Sequence, residues 1–195
     1  MNFTKIRSFY EKYIEINDQM WSELESCLTV KTLIKGEVFI KEGERCDYVS
    51  FVEKGMLRMY YLNEGKEVSA AFFFPGIYIS VYDSFITRAV SRVYVDALTD
   101  TTIINLDYDS VQMLYRKNPA FERFGRLIAE AILISINKRM MSFMLDTPEI
   151  RYLNLINERP KVIQNIPQYM IASYLGVTPE GLSRIKKRIH KAAKN

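Results

Sequence analysis

The residues best placed to do chemistry lie near the C-terminus, and their chemistry is recognition of a polyanion. Between positions 176 and 195 the chain holds Arg184, Lys186, Lys187, Arg188, Lys191 and Lys194 against Glu180 alone, a local charge of +5. The whole chain carries +4, so the other 175 residues sum to −1. Such concentrated basicity fits nucleic acid, an anionic membrane surface or a merely solvated tail. The order of the neighbouring residues separates these. Pro167 is placed to open one helix, Gly176 to close it, and Thr178-Pro179-Glu180 to open the next. Two helices across a three-residue turn make a helix-turn-helix. Ile171, Leu175, Val177, Leu182 and Ile185 are apolar where such a pair needs a core. Ala172 is small where the helices cross, and Gly176 supplies the positive φ of the turn.

The second helix sorts its residues by face. Leu182, Ile185 and Ile189 fall inward, while Glu180, Ser183, Arg184 and Lys187 share the outer face. A DNA major groove admits one helix, whose N-terminal side chains meet the base edges. Arg184 suits a two-point grip on guanine, Glu180 can accept from cytosine, and Ser183 can serve base or phosphate. Thr178, Lys186, Lys187, Arg188 and the helix N-terminus suit phosphates. A membrane reading of this tail is weaker, because its apolar residues are needed for packing and it lacks Trp and Phe.

Composition removes most other chemistry. His190 is the only histidine, which excludes triads, histidine relays and most metal centres. Cys27 and Cys46 can supply neither a zinc site nor the four ligands of an iron–sulfur cluster. No P-loop, dinucleotide fingerprint, HExxH or nucleophile elbow occurs. The N-terminus has no apolar leader and no run is long enough to span a bilayer, so a cytoplasmic location is expected. No enzymatic activity is expected.

The elements that must carry this helix pair change texture along the chain. Phe3, Ile6, Phe9, Tyr10, Tyr13 and Ile14, then Trp21, Leu24 and Leu28, recur at helical spacing, with Asn17 or Asp18 as a cap between them. From Val30, glycines punctuate short runs rich in β-branched and aromatic residues: 30–34, 37–41, 48–53, 56–62, 66–74, 77–80, 92–98 and 101–106. Eight such strands predict an antiparallel barrel or jelly roll. Asp107 or Asp109 then caps a helix, and Pro119 opens a long one to about Asp146. Along it Phe124, Leu127, Ala131, Ile134, Met141 and Leu145 form one apolar stripe, and Ile128, Ile132, Ile136, Met140 and Phe143 a second. Two apolar faces need two covers; the barrel is one, and the same helix of a second chain is the other. Thr147-Pro148-Glu149 restarts the chain as a helix to about Asn157, followed by Arg159-Pro160 as a break and 161–166 as a connector. The fold class is α+β, with a β-roll sensor domain over 1–146, a dimerisation helix at about 119–146 and a helix-turn-helix domain over 147–195.

This order resembles the Crp/Fnr family of bacterial transcription regulators over essentially the whole chain. Lys35-Gly36-Glu37-Val38-Phe39-Ile40-Lys41-Glu42-Gly43-Glu44 is similar to the family's opening turn, and Phe51-Val52-Glu53-Lys54-Gly55 to its next strand. Phe121–Glu130 and Tyr174–Ile185 resemble a branch common in Bacteroidetes. The likeness puts Glu180 and Arg184 on base-reading positions. Pro179 stands where cyclic-AMP-responsive members carry a DNA-contacting arginine, so their operator need not apply. It implies double-stranded DNA and a second copy as partners, with RNA polymerase a further candidate.

The resemblance also marks a departure. Cyclic-nucleotide-binding members hold the ribose with a glutamate and the phosphate with an arginine. Here Val81 falls at the glutamate and Ser91 at the arginine, with Arg92 one place off and Arg88 three. Valine accepts no hydrogen bond, and a one-residue slip turns a strand side chain to the other face. No tight cyclic-AMP binding and no cofactor are therefore expected; a pocket for another small effector would involve Ser80, Val81, Tyr82, Arg88, Ser91 and Arg92. The sequence given stops soon after the second helix, so contacts from the family's β-hairpin wing are expected to be missing. The competing expectation is the same fold as a ligand-sensing or protein-interaction module with a degenerate helix-turn-helix.

Overall fold

The computed structural model describes residues 3–192, and Lys194 of the terminal charge run lies outside them. Helices α1 (Thr4–Glu11) and α2 (Asp18–Ser26) come first. Of the two candidate caps, Asn17 does the work: its side chain accepts from the Met20 N–H at 2.9 Å. Eight strands follow: β1 (Thr29–Leu33), β2 (Val38–Ile40), β3 (Tyr48–Lys54), β4 (Leu57–Asn63), β5 (Lys66–Phe73), β6 (Tyr78–Ile79), β7 (Tyr94–Ala97) and β8 (Thr101–Asp107). They form two four-stranded sheets in the orders β1-β8-β3-β6 and β2-β7-β4-β5. The jelly-roll-like architecture expected from the glycine spacing is the one observed, and the chain is a mixed α+β protein. Phe51, Val52, Leu57, Phe72, Ile79, Val95, Ile103 and Ile104 are almost wholly shielded from solvent. At about 1.5–3 kcal/mol for each large apolar side chain buried, they dominate the stability of the roll.

Two polar features of the roll depart from simple alternation. Ser50 is opposite in face to Phe51 yet fully buried, because its hydroxyl donates to Asn105 Oδ1 at 2.7 Å across the β3–β8 ladder. Arg58 is 3% exposed and lies in a two-point pair with Asp96, Nε to Oδ1 at 3.0 Å and Nη2 to Oδ2 at 2.7 Å. Planar bidentate geometry of this kind lets an arginine stay charged out of water.

Helix α3 (Tyr82–Thr87) interrupts the strands where none was expected. It is six residues long, has no side-chain cap, and ends at Arg88 in the left-handed region (φ 61°), so it offers no periodic signal. Helix α4 (Tyr108–Lys117) starts at Asp107, whose Oδ1 accepts from the Ser110 N–H at 2.9 Å. Helix α5 (Pro119–Leu145) begins in an aromatic nest. Tyr10 stacks on Phe124 at 3.9 Å between centroids, and Phe9, Tyr13 and Tyr78 meet Phe124 edge-on. The Tyr78 hydroxyl donates to that of Tyr10 at 3.1 Å. Burial pushes both phenols above their ordinary range. Gly125 admits the Tyr115 ring, since a Cβ there would overlap the Tyr115 hydroxyl; burial raises that phenol to about 12.

Thr147 caps α6 (Pro148–Glu158), with Pro148 in its first turn. The stretch read as a connector is instead a further helix, α7 (Pro160–Asn165). Pro160 stops α6 and, with its fixed φ, starts α7, while Val162 anchors the short helix by complete burial. Helices α8 (Gln168–Leu175) and α9 (Pro179–Ala192) are the last elements among the described residues.

The chain divides into two compact units. The first comprises Met1–Met59 and Phe72–Ala131, the second Tyr60–Ala71 and Ile132–Asn195. The distal half of the β4–β5 hairpin thus belongs with the C-terminal helices. Within that second unit the Ser69 N–H donates to Ser173 Oγ at 2.9 Å, and Ser173 Oγ donates to the Glu67 carbonyl at 3.2 Å. A side chain of α8 therefore satisfies two groups on one edge of β5. Among the described residues no helix is long and apolar enough to cross a membrane, and no cluster of His, Cys, Asp and Glu could hold a metal ion.

Candidate nucleic-acid interface

Helices α8 and α9 sit on a small core of their own. Met170, Ile171, Ala172, Leu175, Leu182 and Ile185 are buried, joined by Tyr152 and Leu155 of α6 and Val162 of α7. Ala172 is wholly buried at the helix crossing. Val177 and Ile189 are only partly buried. Gly176 ends α8 in the left-handed conformation (φ 69°), its N–H donating to the Ser173 carbonyl at 3.0 Å. Its missing side chain matters twice, because a Cβ would also meet the Phe143 ring at 2.9 Å.

This core fixes which face of α9 looks outward. Glu180, Ser183, Arg184 and Lys187 follow the helical three- and four-residue spacing and all are exposed. Thr178, Lys186 and Arg188 are exposed as well, but each has local work. Thr178 caps α9, its Oγ1 accepting from the Gly181 N–H at 3.1 Å. Lys186 donates to Gln168 Oε1 at 3.0 Å, tying the middle of α9 to the start of α8. Arg188 pairs with Glu149 of α6 at 2.5 Å. Glu180 lies in the first turn, where its own backbone N–H, the Thr178 hydroxyl and the charge of Arg184 together hold its carboxyl below the ordinary range. Gln168 and Glu149 were not singled out from the sequence; they lie 18 and 39 positions from their partners, beyond any local pattern. The surface that remains is a cationic ridge of Arg184 and Lys187, with Ser183 beside them and the Glu180 carboxylate at its N-terminal end.

Several residues of the expected effector pocket are engaged by neighbouring backbone and side chains. Val81 is buried and starts α3 without a side-chain cap. Tyr82 is partly buried, and burial raises its phenol above the ordinary value. Ser80 donates to the Tyr48 carbonyl at 3.0 Å. Ser91 closes its own turn, donating to the Val93 carbonyl at 2.7 Å and accepting from the Val93 N–H at 3.0 Å. Arg92 is exposed. Arg88 is engaged on several sides: it donates to the Cys46 and Phe85 carbonyls at 3.3 Å, pairs with Asp47, and lies over the Tyr108 ring at 4.3 Å. Burial acts to raise the Asp47 carboxyl, but hydrogen bonds from Arg45 and Arg88 outweigh it and hold the group below its ordinary value. Ser80 and Arg88 share the 46–48 segment as a neighbour. A cleft of about 160 Å3 beside that segment is lined by Lys31, Phe39, Glu44, Asp47 and Asn105 among others, and by none of the six.

Comparison with known proteins bears on the fold. Residues 30–118 match the family model of the cyclic nucleotide-binding domain. No curated protein matches the chain. Among solved structures it resembles FixK2 from Bradyrhizobium japonicum at 21% identity, with a TM-score of 0.73 over 85% of this chain and 86% of that one. A mutant of CooA from Carboxydothermus hydrogenoformans aligns at 17% identity and TM-score 0.71, covering 92% of this chain and 82% of the other. A transcriptional regulator of the Crp/Fnr family from Eubacterium rectale aligns at 17% identity and TM-score 0.71, covering 93% and 88%.

Proposed function

We propose that this chain, which has the fold of the Crp/Fnr transcription regulators around a cyclic nucleotide-binding domain at residues 30–118, is itself a sequence-specific DNA-binding transcription regulator. The observation that carries the reading is the outward face of α9: Glu180, Ser183, Arg184 and Lys187 stand exposed on a helix whose opposite face, Leu182 and Ile185, is fully packed. Arg184, Glu180 and Ser183 read base edges; Lys187 contacts phosphate, and Thr178, Lys186 and Arg188 support the backbone contacts from their local partners. Residues 147–195 form the reading domain and the preceding chain the sensor domain.

The regulator works as a homodimer through α5. Leu133, Ile134, Ile136, Met140, Met141, Met144 and Leu145 are each more than half exposed on that helix, far more apolar surface than an isolated surface helix carries. RNA polymerase is the partner through which such a dimer would act, in the cytoplasm, with no catalytic step of its own. Its signal is not cyclic AMP: Val81 offers no acceptor, the Ser91 hydroxyl is spent on Val93, and Arg88 is held by Asp47 and two carbonyls.

The deciding experiment is selection of bound fragments from sheared genomic DNA by the purified chain, with Arg184→Ala beside it. One inverted-repeat motif, recovered by the wild type and lost by the variant, is the expected result. Fragments no richer in any motif than the input would overturn the reading. Calorimetry with cyclic AMP is expected to show no binding, and micromolar affinity would refute the assignment of its signal.

A further inference from the structure

The end of α8 is where a helix-turn-helix is hardest to hold. A helix leaves its last carbonyls without partners of their own, and the negative end of its dipole gathers there. Gly176 and Val177 turn back and donate to the Ser173 and Ala172 carbonyls. The carbonyls of Tyr174 and Leu175 come next, and arginines from two other helices take them. Arg139 of α5 donates Nη2 to the Tyr174 carbonyl at 2.9 Å. Arg151 of α6 donates Nε and Nη2 to the Leu175 carbonyl at 3.2 and 3.1 Å, and Nη1 to the carbonyl of Asp146 at 2.8 Å.

Phe143 joins the two arginines. Their guanidinium carbons lie 4.8 and 4.7 Å from its ring centroid, and Arg139 also covers the Tyr174 ring at 3.8 Å. The same Phe143 ring occupies the space that any side chain at position 176 would need. Burial depresses the basicity of Arg139, and the neighbouring Arg159 and Arg151 add to the effect. Backbone carbonyls and ring faces receive the charges of Arg139 and Arg151. All these residues lie in one compact unit.

We infer that Arg139, Phe143 and Arg151 are positioning residues for DNA reading: they lock the turn between α8 and α9 to the C-terminal half of α5, so that the helix joining two copies also sets the distance between their reading helices. The inference rests on the proposed reading of the chain as a dimeric DNA-binding regulator. None of the three side chains needs to touch DNA. A dimer whose reading helices are rigidly spaced binds half-sites at one separation. Loosening the lock leaves each helix its base contacts but lowers the effective concentration of the second half-site. Lysine cannot replace either arginine, because it lacks the planar fork that stacks and caps together.

The test uses the full chain and the inverted repeat that the wild type selects. Arg139→Gln, Arg151→Gln and Phe143→Leu are titrated against that repeat, against versions whose centre is lengthened or shortened by single base pairs, and against an isolated half-site. The expected result is a loss of about tenfold at the wild-type spacing, smaller losses at neighbouring spacings, and unchanged affinity for the half-site. Arg139→Lys is expected to behave like Arg139→Gln. Thermal melting fixes the folded fraction of each variant, and Phe143→Leu carries the test if an arginine variant does not fold. A sharp spacing optimum shared by wild type and variants would overturn the lock alone, as would an equal loss on the half-site and at all spacings. A wild-type chain that selects no sequence overturns the underlying reading and this inference with it.

Discussion

Arg88 and Arg184 are one residue type put to opposite uses. Around Arg88 the guanidinium meets two backbone carbonyls, the Asp47 carboxylate and the face of Tyr108, and the side chain keeps only 27% of its exposure. Arg58 is further enclosed, with its Nε–Nη2 edge committed to Asp96. Arg184 stands exposed at the front of α9, near the charge of Glu180. A guanidinium is a binding group only while its donors remain unspent. In the roll they hold the protein's own loops and strands together, and on α9 they face outward. The segment 80–92 and the ridge 180–187 are therefore different kinds of surface despite their shared chemistry.

The contrast predicts which substitutions cost stability and which cost recognition. The largest effect belongs to Asp96→Ala, which leaves Arg58 buried without its carboxylate; chemical denaturation should show a loss of about 3–5 kcal/mol. A loss below about 1 kcal/mol would mean that Arg58 finds water, and the contrast with α9 would blur. Arg184→Ala should leave the melting temperature within error of wild type and weaken the selected DNA site by about 1–3 kcal/mol, with preference relaxed at one base pair. Smaller again is Lys187→Ala. It should weaken all sequences alike and reduce the slope of log affinity against log salt by about 0.9; a change in preference would move Lys187 among the base readers. The least effect is a dependence on acid. Because the folded Asp47 carboxyl titrates below its ordinary value, its stabilising contribution is fully present above about pH 4 and is lost as pH falls through the folded value. The pair is partly exposed, so the gain is at most about 1 kcal/mol. Asp47→Asn should flatten that part of the stability profile, and an unchanged profile would assign the acid sensitivity to other groups.

Much of the frame was legible in the sequence for local reasons. Glycine turns and β-branched runs located all eight strands within a few residues, and Asn17, Asp107, Thr147 and Gly176 act as the stops and starts their chemistry implies. Two short helices escaped. Helix α3 lacks a cap and a full period, and α7 lay behind a proline whose breaking role hid its starting role. The face of α9 could be read because Leu182, Ile185 and Ile189 alternate with charges over short distances. The engagement of Arg88, Arg188, Arg139 and Arg151 could not, since each has a partner at least 24 positions away in the chain.

The hairpin tip at residues 60–71 packs as part of the C-terminal unit although sixty residues of the other unit separate the two in sequence. For that reason no single cut in the polypeptide releases the C-terminal unit intact. A fragment beginning at residue 132 would leave behind the Glu67 carbonyl and the Ser69 N–H and return Ser173 to water. Joining one half of such a gene to another would set a foreign hairpin against α8.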